Sequence, residues 1–257
     1  MEQLVGVVVR DVIKGYAAGS QELRVLDGIS LRCQPGEFIS LLGPSGAGKT
    51  TLLRLMAGLD RPDHGEVVYI DGSSKRVDAS EVRVGMVFQE PRLLPWASVA
   101  KNVSYGLQGR AKAMNRHEQE RAVRDALELF GLGPFSSYLP HQISGGMKQR
   151  AALARALVGE PDLLLLDEPL GSLDIKNRLA IQEVLSQFAG TRTCIMVTHS
   201  IEEAVYLSDR IYVLSDRPAL VKSEIHVPLP RPRDRVAPGF STYARQVIRA
   251  LGVTPAG

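Results

Sequence analysis

The chain has 257 residues, of which 44% are hydrophobic and 23% charged, a balance typical of globular proteins with a sizeable buried core. Its formal net charge of +3 is too small to indicate a nucleic-acid-binding surface. No apolar run approaches the ~20 residues that a membrane-spanning helix needs, and the first residues lack the pattern of a signal peptide. If the protein serves a membrane, we expect it to do so as a peripheral subunit. Its two cysteines, Cys33 and Cys194, lack metal-site spacing and are expected to be buried thiols in a reducing compartment.

The N-terminal part of the chain is predicted to form strands. Residues 4–9 and 23–33 carry alternating or continuous apolar and β-branched side chains. A glycine-containing loop around residues 15–19 is expected to join them. Residues 38–42 are apolar with one serine and indicate a buried strand.

A first helix and two further strands are predicted next. The helix should cover about residues 48–57, and Gly58 is suited to end it in the left-handed conformation. Residues 67–70 and 84–88 are short β-branched or apolar runs, so we expect a strand at each.

The middle of the chain has a different character. Residues 98–158 are poor in β-branched runs and favour helices. Asn115 and Glu118 have the spacing of a capping box, and Gly131 is suited to end that helix. We expect a helical lobe inserted between two halves of an α/β core. The predicted apolar face of its capped helix comprises Ala122, Ala126, Leu127 and Phe130.

The α/β pattern resumes after the helical region. Residues 163–166 are four leucines and indicate a central parallel strand. A helix is expected near residues 176–189 and a strand at 193–198. Ser200 is a candidate N-cap for a further helix, and residues 211–214 indicate one more strand.

The last thirty residues carry a weaker signal. Pro228, Pro230 and Pro232 alternate with Arg231, Arg233 and Arg235, which favours a solvated extended segment over a lipid-binding patch. A helical stripe follows and is expected to pack back on the domain; its members are Phe240, Ala244, Val247, Ile248 and Leu251.

Residues 43–50 read Gly-Pro-Ser-Gly-Ala-Gly-Lys-Thr and satisfy the phosphate-loop pattern G-x-x-x-x-G-K-[ST]. The glycines allow backbone N–H groups to approach phosphates, and the following helix adds its positive end. Lys49 is expected to reach the β- and γ-phosphates of ATP, and the Thr50 hydroxyl to hold Mg²⁺. A chance glycine turn is the alternative, but the match lies between a predicted strand and a predicted helix. The ATP-binding residues expected here are Gly43, Pro44, Ser45, Gly46, Ala47, Gly48, Lys49, Thr50 and Thr51.

Two carboxylates follow the leucine strand. Asp167 and Glu168 stand at its carboxyl end, where ligands bind in open parallel sheets. We expect Asp167 to hold the Mg²⁺ shell and Glu168 to orient or deprotonate the attacking water. A turn or a helix cap is the alternative for such a pair, but the preceding phosphate loop favours the functional interpretation.

Residues 143–149, Ile-Ser-Gly-Gly-Met-Lys-Gln, resemble the signature sequence of ATP-binding cassette (ABC) proteins. Together with the two motifs above, they make the chain similar to a complete nucleotide-binding subunit of that family over about residues 4–225. Further elements match in the family's order: an adenine-stacking aromatic at Tyr16, the glutamine loop at Gln89, the aspartate loop at 170–174 and the switch histidine at His199. Taken singly, Gln89 could be a solvated amide, His199 a helix cap and Tyr16 a packing residue.

The resemblance implies an α/β fold. Its parts are a P-loop NTPase core with a mostly parallel sheet and flanking helices, an N-terminal antiparallel β subdomain and an inserted α-helical subdomain. The implied ABC ATPase domain covers residues 1–225, and residues 226–257 form a C-terminal extension. Within the domain, the RecA-like core spans about 1–90 and 159–225, and the helical subdomain about 91–158.

The resemblance also implies ATP and Mg²⁺ as cofactors and a homodimer that encloses two ATP molecules. Ser144, Gly145 and Gly146 are then the N-terminal end of a helix that faces the γ-phosphate bound by the other copy. Other implied ATP-binding residues are Tyr16, Gln89 and Asp174. The implied metal-binding residues are Thr50, Gln89 and Asp167, and the implied catalytic residues are Glu168, His199 and Lys49.

Residues 89–96, Gln-Glu-Pro-Arg-Leu-Leu-Pro-Trp, are similar to the nitrate, sulfonate and taurine importer branch of the family. This resemblance implies a peripheral subunit at the cytoplasmic face of the inner membrane, two permease subunits as partners and, indirectly, a solute-binding protein. Leu94 and Trp96 are candidate anchors for the permease, or they fill the lobe's own core. Ile143 and Ser172 depart from the commoner Leu and Ala, which affects the subfamily assignment more than ATP hydrolysis.

Two other functions compete with transport. A soluble cassette ATPase acting on nucleic acid or ribosomes is the main alternative, but those relatives tend to carry two cassettes or long coiled-coil insertions, and the weak net charge disfavours nucleic acid as a partner. An ordinary phosphate-loop kinase has no use for the motif at residues 143–149.

Overall fold

The computed structural model describes residues 4–18, 21–110 and 113–252. Ten strands occur within these residues and form two sheets, one of four strands and one of six. In chain order they are β1 Gly6–Ala18, β2 Gln21–Cys33, β3 Phe38–Leu42, β4 His64–Ile70, β5 Arg76–Val77, β6 Val84–Val87, β7 Leu163–Asp167, β8 Thr193–Val197, β9 Arg210–Leu214 and β10 Val221–His226.

The four-stranded sheet is antiparallel, in the order β2-β1-β4-β5. The prediction of a loop around residues 15–19 is wrong for residues 15–18, because β1 continues through Gly15 to Ala18 and pairs with β2 as far as Ala18. The register shifts between Lys14 and Gly15, so a bulge accommodates the glycine within the strand rather than ending it. Gly19 lies outside the described residues.

The six-stranded sheet has the order β10-β9-β3-β8-β7-β6 and is parallel except for β10. Every residue of β3, β7 and β8 is buried, because helices or the other sheet cover both faces. The prediction of an interior strand at residues 163–166 is confirmed. The parallel order brings the carboxyl ends of β3, β6, β7 and β8 to one edge, where the phosphate loop and both acidic residues follow.

Seven α-helices accompany the sheets in the described part of the chain. Three of them lie between β6 and β7 in sequence and form the expected helical lobe, although its bounds at residues 91 and 158 stay a prediction. They are α1 Lys49–Met56, α2 Val99–Ser104, α3 Arg116–Leu129, α4 Gly145–Leu157, α5 Ile175–Ser186, α6 Ile201–Leu207 and α7 Pro238–Leu251.

Local capping signals set several helix ends as predicted. Asn115 and Glu118 form the capping box of α3, and Gly131 follows that helix with φ +63°. Gly58 follows α1 with φ +68°. On α3, Leu127 and the following Phe130 are buried as expected, whereas Ala122 and Ala126 are only partly buried.

The proline-arginine segment differs from its prediction. Residues 228–235 are solvated only in part: the three prolines are exposed as expected, but Arg233 is buried and donates hydrogen bonds to backbone carbonyls around the end of α6. The helical stripe that follows packs on the domain as predicted, with Phe240 and Val247 of α7 buried in the same core as α6. Cys33 and Cys194 are both buried free thiols. None of the helices in the described ranges is long and apolar enough to cross a membrane.

Candidate functional site

A cleft of about 500 Å³ lies where the parallel strands end. One wall is formed by the loop after β3 and the first turn of α1, which contribute Ser45, Gly46, Gly48, Lys49, Thr50 and Thr51. The other walls contribute Tyr16, Gln89, Glu168 and His199. Ten predicted site residues from five separate parts of the sequence therefore line one cavity.

The loop between β3 and α1 requires glycine at particular positions. Gly48 has φ +89°, and a Cβ there would lie 2.6 Å from Val25 Cγ1. A Cβ on Gly43 would lie 2.9 Å from the Leu214 carbonyl oxygen of β9. The loop is thus held tightly between β9 and the N-terminal sheet, and Ala47 within it is buried. The first residues of α1, whose N–H groups have no acceptor inside the helix, line the cleft.

The ammonium group of Lys49 is a buried cation that contacts this loop. The Lys49 side chain is at the start of α1, the residue is 5% exposed, and Nζ donates to the carbonyl oxygens of Gly43 at 2.8 Å and Pro44 at 2.7 Å. Burial lowers the pKa of Lys49, while the nearby charges of Glu168 and Asp167 act to raise it. Lys49 and Glu168 line the same cleft.

Thr50 and Asp167 place two oxygen ligands together. The Thr50 hydroxyl donates to Asp167 Oδ2 at 2.8 Å, and Asp167 is 2% exposed. Burial raises the pKa of Asp167, and the hydrogen bond from Thr50 acts to lower it. Across the ranges described, no group of three or more His, Cys, Asp and Glu side chains could hold a metal ion by itself. A hydroxyl beside one carboxylate fits Mg²⁺, which takes few protein ligands and completes its shell with phosphates and water.

The Glu168 carboxylate is contacted by two other side chains, one at each oxygen. Its Oε1 is 2.6 Å from His199 Nε2, and its Oε2 accepts a hydrogen bond from Gln89 Nε2 at 3.3 Å. The Glu168 backbone has φ +46°, a conformation that non-glycine residues rarely adopt and that concentrates at functional sites. It turns the chain directly after β7, while the backbone N–H still bonds Val197 of β8 at 3.0 Å. The arrangement presents one carboxylate, oriented by an imidazole and an amide, to the cleft.

Tyr16 of β1 also lines the cleft. The residue is 39% exposed, and its hydroxyl donates to Asp60 Oδ2 at 2.7 Å. Lys14 Nζ is 5.3 Å from the ring centroid. Partial burial raises the pKa of Tyr16. An aromatic face can stack on a planar base, and the adenine contact of Tyr16 stays a prediction.

The signature residues lie outside this cleft. Ser144 is the N-cap of α4 and accepts a hydrogen bond from the Met147 N–H at 3.2 Å, and both Ser144 and Gly145 are exposed. A Cβ on Gly146 would contact Leu173 of the aspartate loop at 3.3 Å. Asp174 likewise does not line the cleft; it caps α5 by accepting from the Asn177 N–H at 3.0 Å. Within one chain, these predicted ATP-binding residues are not brought to the phosphate loop.

Arg217 lines the cleft and was not among the predicted site residues. Its Nε donates to the Gly46 carbonyl oxygen at 3.1 Å, so a guanidinium lies against the phosphate loop. The sequence signal that could have identified Arg217 is its position three residues after β9. This strand is parallel to β3 and ends at the edge of the sheet where ligands bind.

Comparison with known proteins gives a consistent result. The family model described as ABC transporter matches residues 26–171. An uncharacterised ABC transporter ATP-binding protein of Methanocaldococcus jannaschii is 40% identical over 245 residues, which cover 95% of this chain and 90% of that protein.

Two relatives carry a transport name. The aliphatic sulfonates import ATP-binding protein SsuB 1 of Pseudomonas aeruginosa is 44% identical over 84% of this chain and 86% of its own length. The SsuB protein of Bacillus cereus is 38% identical over 95% of this chain and 94% of its own length. Among solved structures, an ATP-binding cassette dimer in a post-hydrolysis state with ADP and Pi matches with a TM-score of 0.77 at 32% identity, covering 86% of this chain and 98% of that one.

Proposed function

The chain belongs to the ABC transporter family and is an ATP-hydrolysing subunit of the kind found in that family. We propose that it powers import of a small anion such as an aliphatic sulfonate, taurine or nitrate. The names of the SsuB relatives support import of a sulfonate. So does the segment at residues 89–96, which resembles the same importer branch.

Cells that lack this chain provide the test of the solute class. We expect normal growth on sulfate and ammonium, because those sources bypass the importer. Growth should fail on one of three replacements, namely an alkanesulfonate or taurine as sole sulfur source, or nitrate as sole nitrogen source. The source that fails identifies the solute, and uptake of that labelled anion should return with the intact gene. Growth equal to wild type on all three would overturn the proposal.

The single observation that supports hydrolysis most directly is the Glu168–His199 pair beside Lys49 in one cleft. Glu168 accepts a proton from the attacking water. As the water oxygen bonds to the γ-phosphorus, the bond between the γ-phosphorus and the bridging β-phosphate oxygen breaks. His199 holds the carboxylate and can hydrogen-bond the γ-phosphate. Lys49 offsets the charge that develops on the phosphoryl oxygens, and Arg217 adds a second cation beside the loop.

Mg²⁺ would be held by Thr50 and Asp167, with Gln89 lining the same cleft, and it would neutralise charge on the β- and γ-phosphates. Tyr16 orients the adenine by stacking. Tyr16, Thr50 and Gln89 line one cavity, and Asp167 is hydrogen-bonded to Thr50. These assignments require no rearrangement of the sheet.

The position of the signature motif supports a homodimer. Ser144 and Gly145 form an exposed helix end, and none of the signature residues lines the cleft of its own chain. Because a helix N-terminus favours an anion, this end is suited to the γ-phosphate bound by a second copy. Two-fold symmetry then gives two such contacts at once. Asp174 and its loop lie next to the signature residues and would take part in the same interface.

A permease surface is the remaining part of the proposal. Trp96 is 74% exposed, whereas Leu94 is partly buried and Leu93 packs against the core of the lobe. The alternative that Trp96 fills that core is therefore wrong. An exposed tryptophan seven residues after Gln89 is suited to anchor a partner helix. Two permease subunits at the cytoplasmic face of the inner membrane, served by a solute-binding protein, complete the proposed importer.

Trp96→Ala tests that surface. We expect basal ATP turnover and the melting temperature to stay unchanged, because the side chain is exposed. Recovery of the chain with membranes from its own cells should fall about tenfold, since an aromatic anchor contributes roughly 1–2 kcal/mol. Val236→Ala is the matched control, because Val236 is 87% exposed and lies outside the lobe. Unchanged membrane recovery, or a lower melting temperature, would argue against docking through Trp96.

A further inference from the structure

The switch histidine is attached to a very short helix. His199 stands between β8 and α6, which has seven residues. Ser200 caps the start of α6 by accepting from the Glu203 N–H at 3.2 Å, and the Thr198 hydroxyl donates to Glu203 Oε2 at 2.6 Å. The backbone on both sides of His199 is thus tied to the first turn of α6. Any shift of α6 would move His199 relative to Glu168.

A helix of this length leaves most of its carbonyl groups without a partner inside it. The Ala204 carbonyl oxygen accepts from the Ser208 N–H at 3.0 Å, which leaves the carbonyls of the last three residues. All three accept from the proline-arginine segment. Arg233 Nη1 donates to Val205 at 2.6 Å and Tyr206 at 3.4 Å, and Arg231 Nη2 donates to Leu207 at 2.6 Å.

Arg233 is the centre of this contact. Its side chain is 1% exposed, and the same guanidinium also donates to the carbonyls of Ser208 at 2.6 Å and Val227 at 2.8 Å. Burial lowers its pKa to about 10, so the group remains a cation at neutral pH. A cation at a helix C-terminus is favoured by the helix dipole, and its planar fork can satisfy several carbonyls that lysine could not.

The neighbouring arginine extends the contact to the other end of α6. Arg235 Nε lies 3.1 Å from Glu202 Oε1 in the first turn, and its guanidinium stacks 3.5 Å from the centroid of the Tyr206 ring. Its Nη2 also donates to Gln182 of α5. The segment therefore contacts both the first turn and the last turn of α6.

We propose that Arg233 is a positioning residue for ATP hydrolysis: by capping α6, it holds His199 at the distance from Glu168 that the reaction requires. The inference rests on the proposed role of His199. It gives the C-terminal extension a part in the chemistry, although none of the extension's residues up to Gly252 lines the cleft. Arg233 does not touch ATP, so its effect must pass through α6.

The test compares kcat, KM for ATP and nucleotide affinity in Arg233→Lys and Arg233→Met. We expect kcat to fall about five- to tenfold with lysine and further with methionine, while KM and affinity stay within about twofold, because the phosphate loop belongs to another element. Arg245→Lys is the matched control, since Arg245 is exposed on α7 of the same extension. If the methionine variant does not fold, the lysine variant decides the question.

A second background separates a positioning effect from general damage. In His199→Ala, Arg233→Lys should change the residual turnover less than about twofold, because the residue that it positions is gone. An equal loss in both backgrounds, a parallel rise in KM, or wild-type kcat in the lysine and methionine variants would overturn the inference. Wild-type turnover in the single variant His199→Ala would instead contradict the proposed role of His199.

Discussion

Glu168→Gln is expected to abolish ATP turnover while ATP remains bound and the chain accumulates as a dimer. Glutamine keeps the shape of the side chain beside Gln89 and His199 but cannot accept the proton of the attacking water. Removal of a general base typically costs about 10²–10⁴ in rate, so we expect at least a hundredfold loss. Steady-state phosphate release measures the turnover, and gel filtration with Mg-ATP measures the dimer.

Glu90→Gln is the matched control for this experiment. It makes the same chemical change at an exposed glutamate that directly follows Gln89 and does not line the cleft. Its turnover should equal that of the wild type. Persistent monomers of Glu168→Gln with Mg-ATP bound would contradict the homodimer, and turnover above about a hundredth of wild type would contradict the assignment of the base.

Ser144→Arg should separate ATP binding from hydrolysis. Because Ser144 is exposed and lies outside the cleft of its own chain, we expect nucleotide affinity of the monomer to stay within about twofold. Turnover should fall at least about a hundredfold, since the long side chain occupies the helix end that must approach the second copy's phosphate. Introduced into Glu168→Gln, the same substitution should prevent the trapped dimer in gel filtration.

Asn115→Arg controls for the loss of a helix cap. Asn115 is the exposed N-cap of α3 in the same lobe and caps through its side chain as Ser144 does. It should destabilise its helix by roughly 1 kcal/mol and leave dimer formation intact. Full turnover in Ser144→Arg, or a trapped dimer that survives the double substitution, would exclude a shared phosphate contact.

The residues along single stretches of chain were predictable because their signals are local. The phosphate loop needs glycine where no Cβ fits, and a leucine strand must be buried on both faces, so residues 43–51 and 163–168 could be recognised from their spacing. The capping box at Asn115 is equally local. The length of β1 was not predictable, because Gly15 usually marks a turn, and only the partner strand β2 keeps it in the sheet.

What the sequence determined by itself is therefore the chemistry available: a loop for phosphates, a strand ending in two acids, and a helix end for an anion. What only the tertiary structure decided is which groups meet. The sheet order β3-β8-β7-β6 brings Gln89 and His199 to opposite sides of Glu168. Folding also buries Arg233 among backbone carbonyls, a contact that the sequence of the proline-arginine segment does not predict. Such contacts join residues far apart in the chain, so strand order and burial decide them rather than local conformational preference.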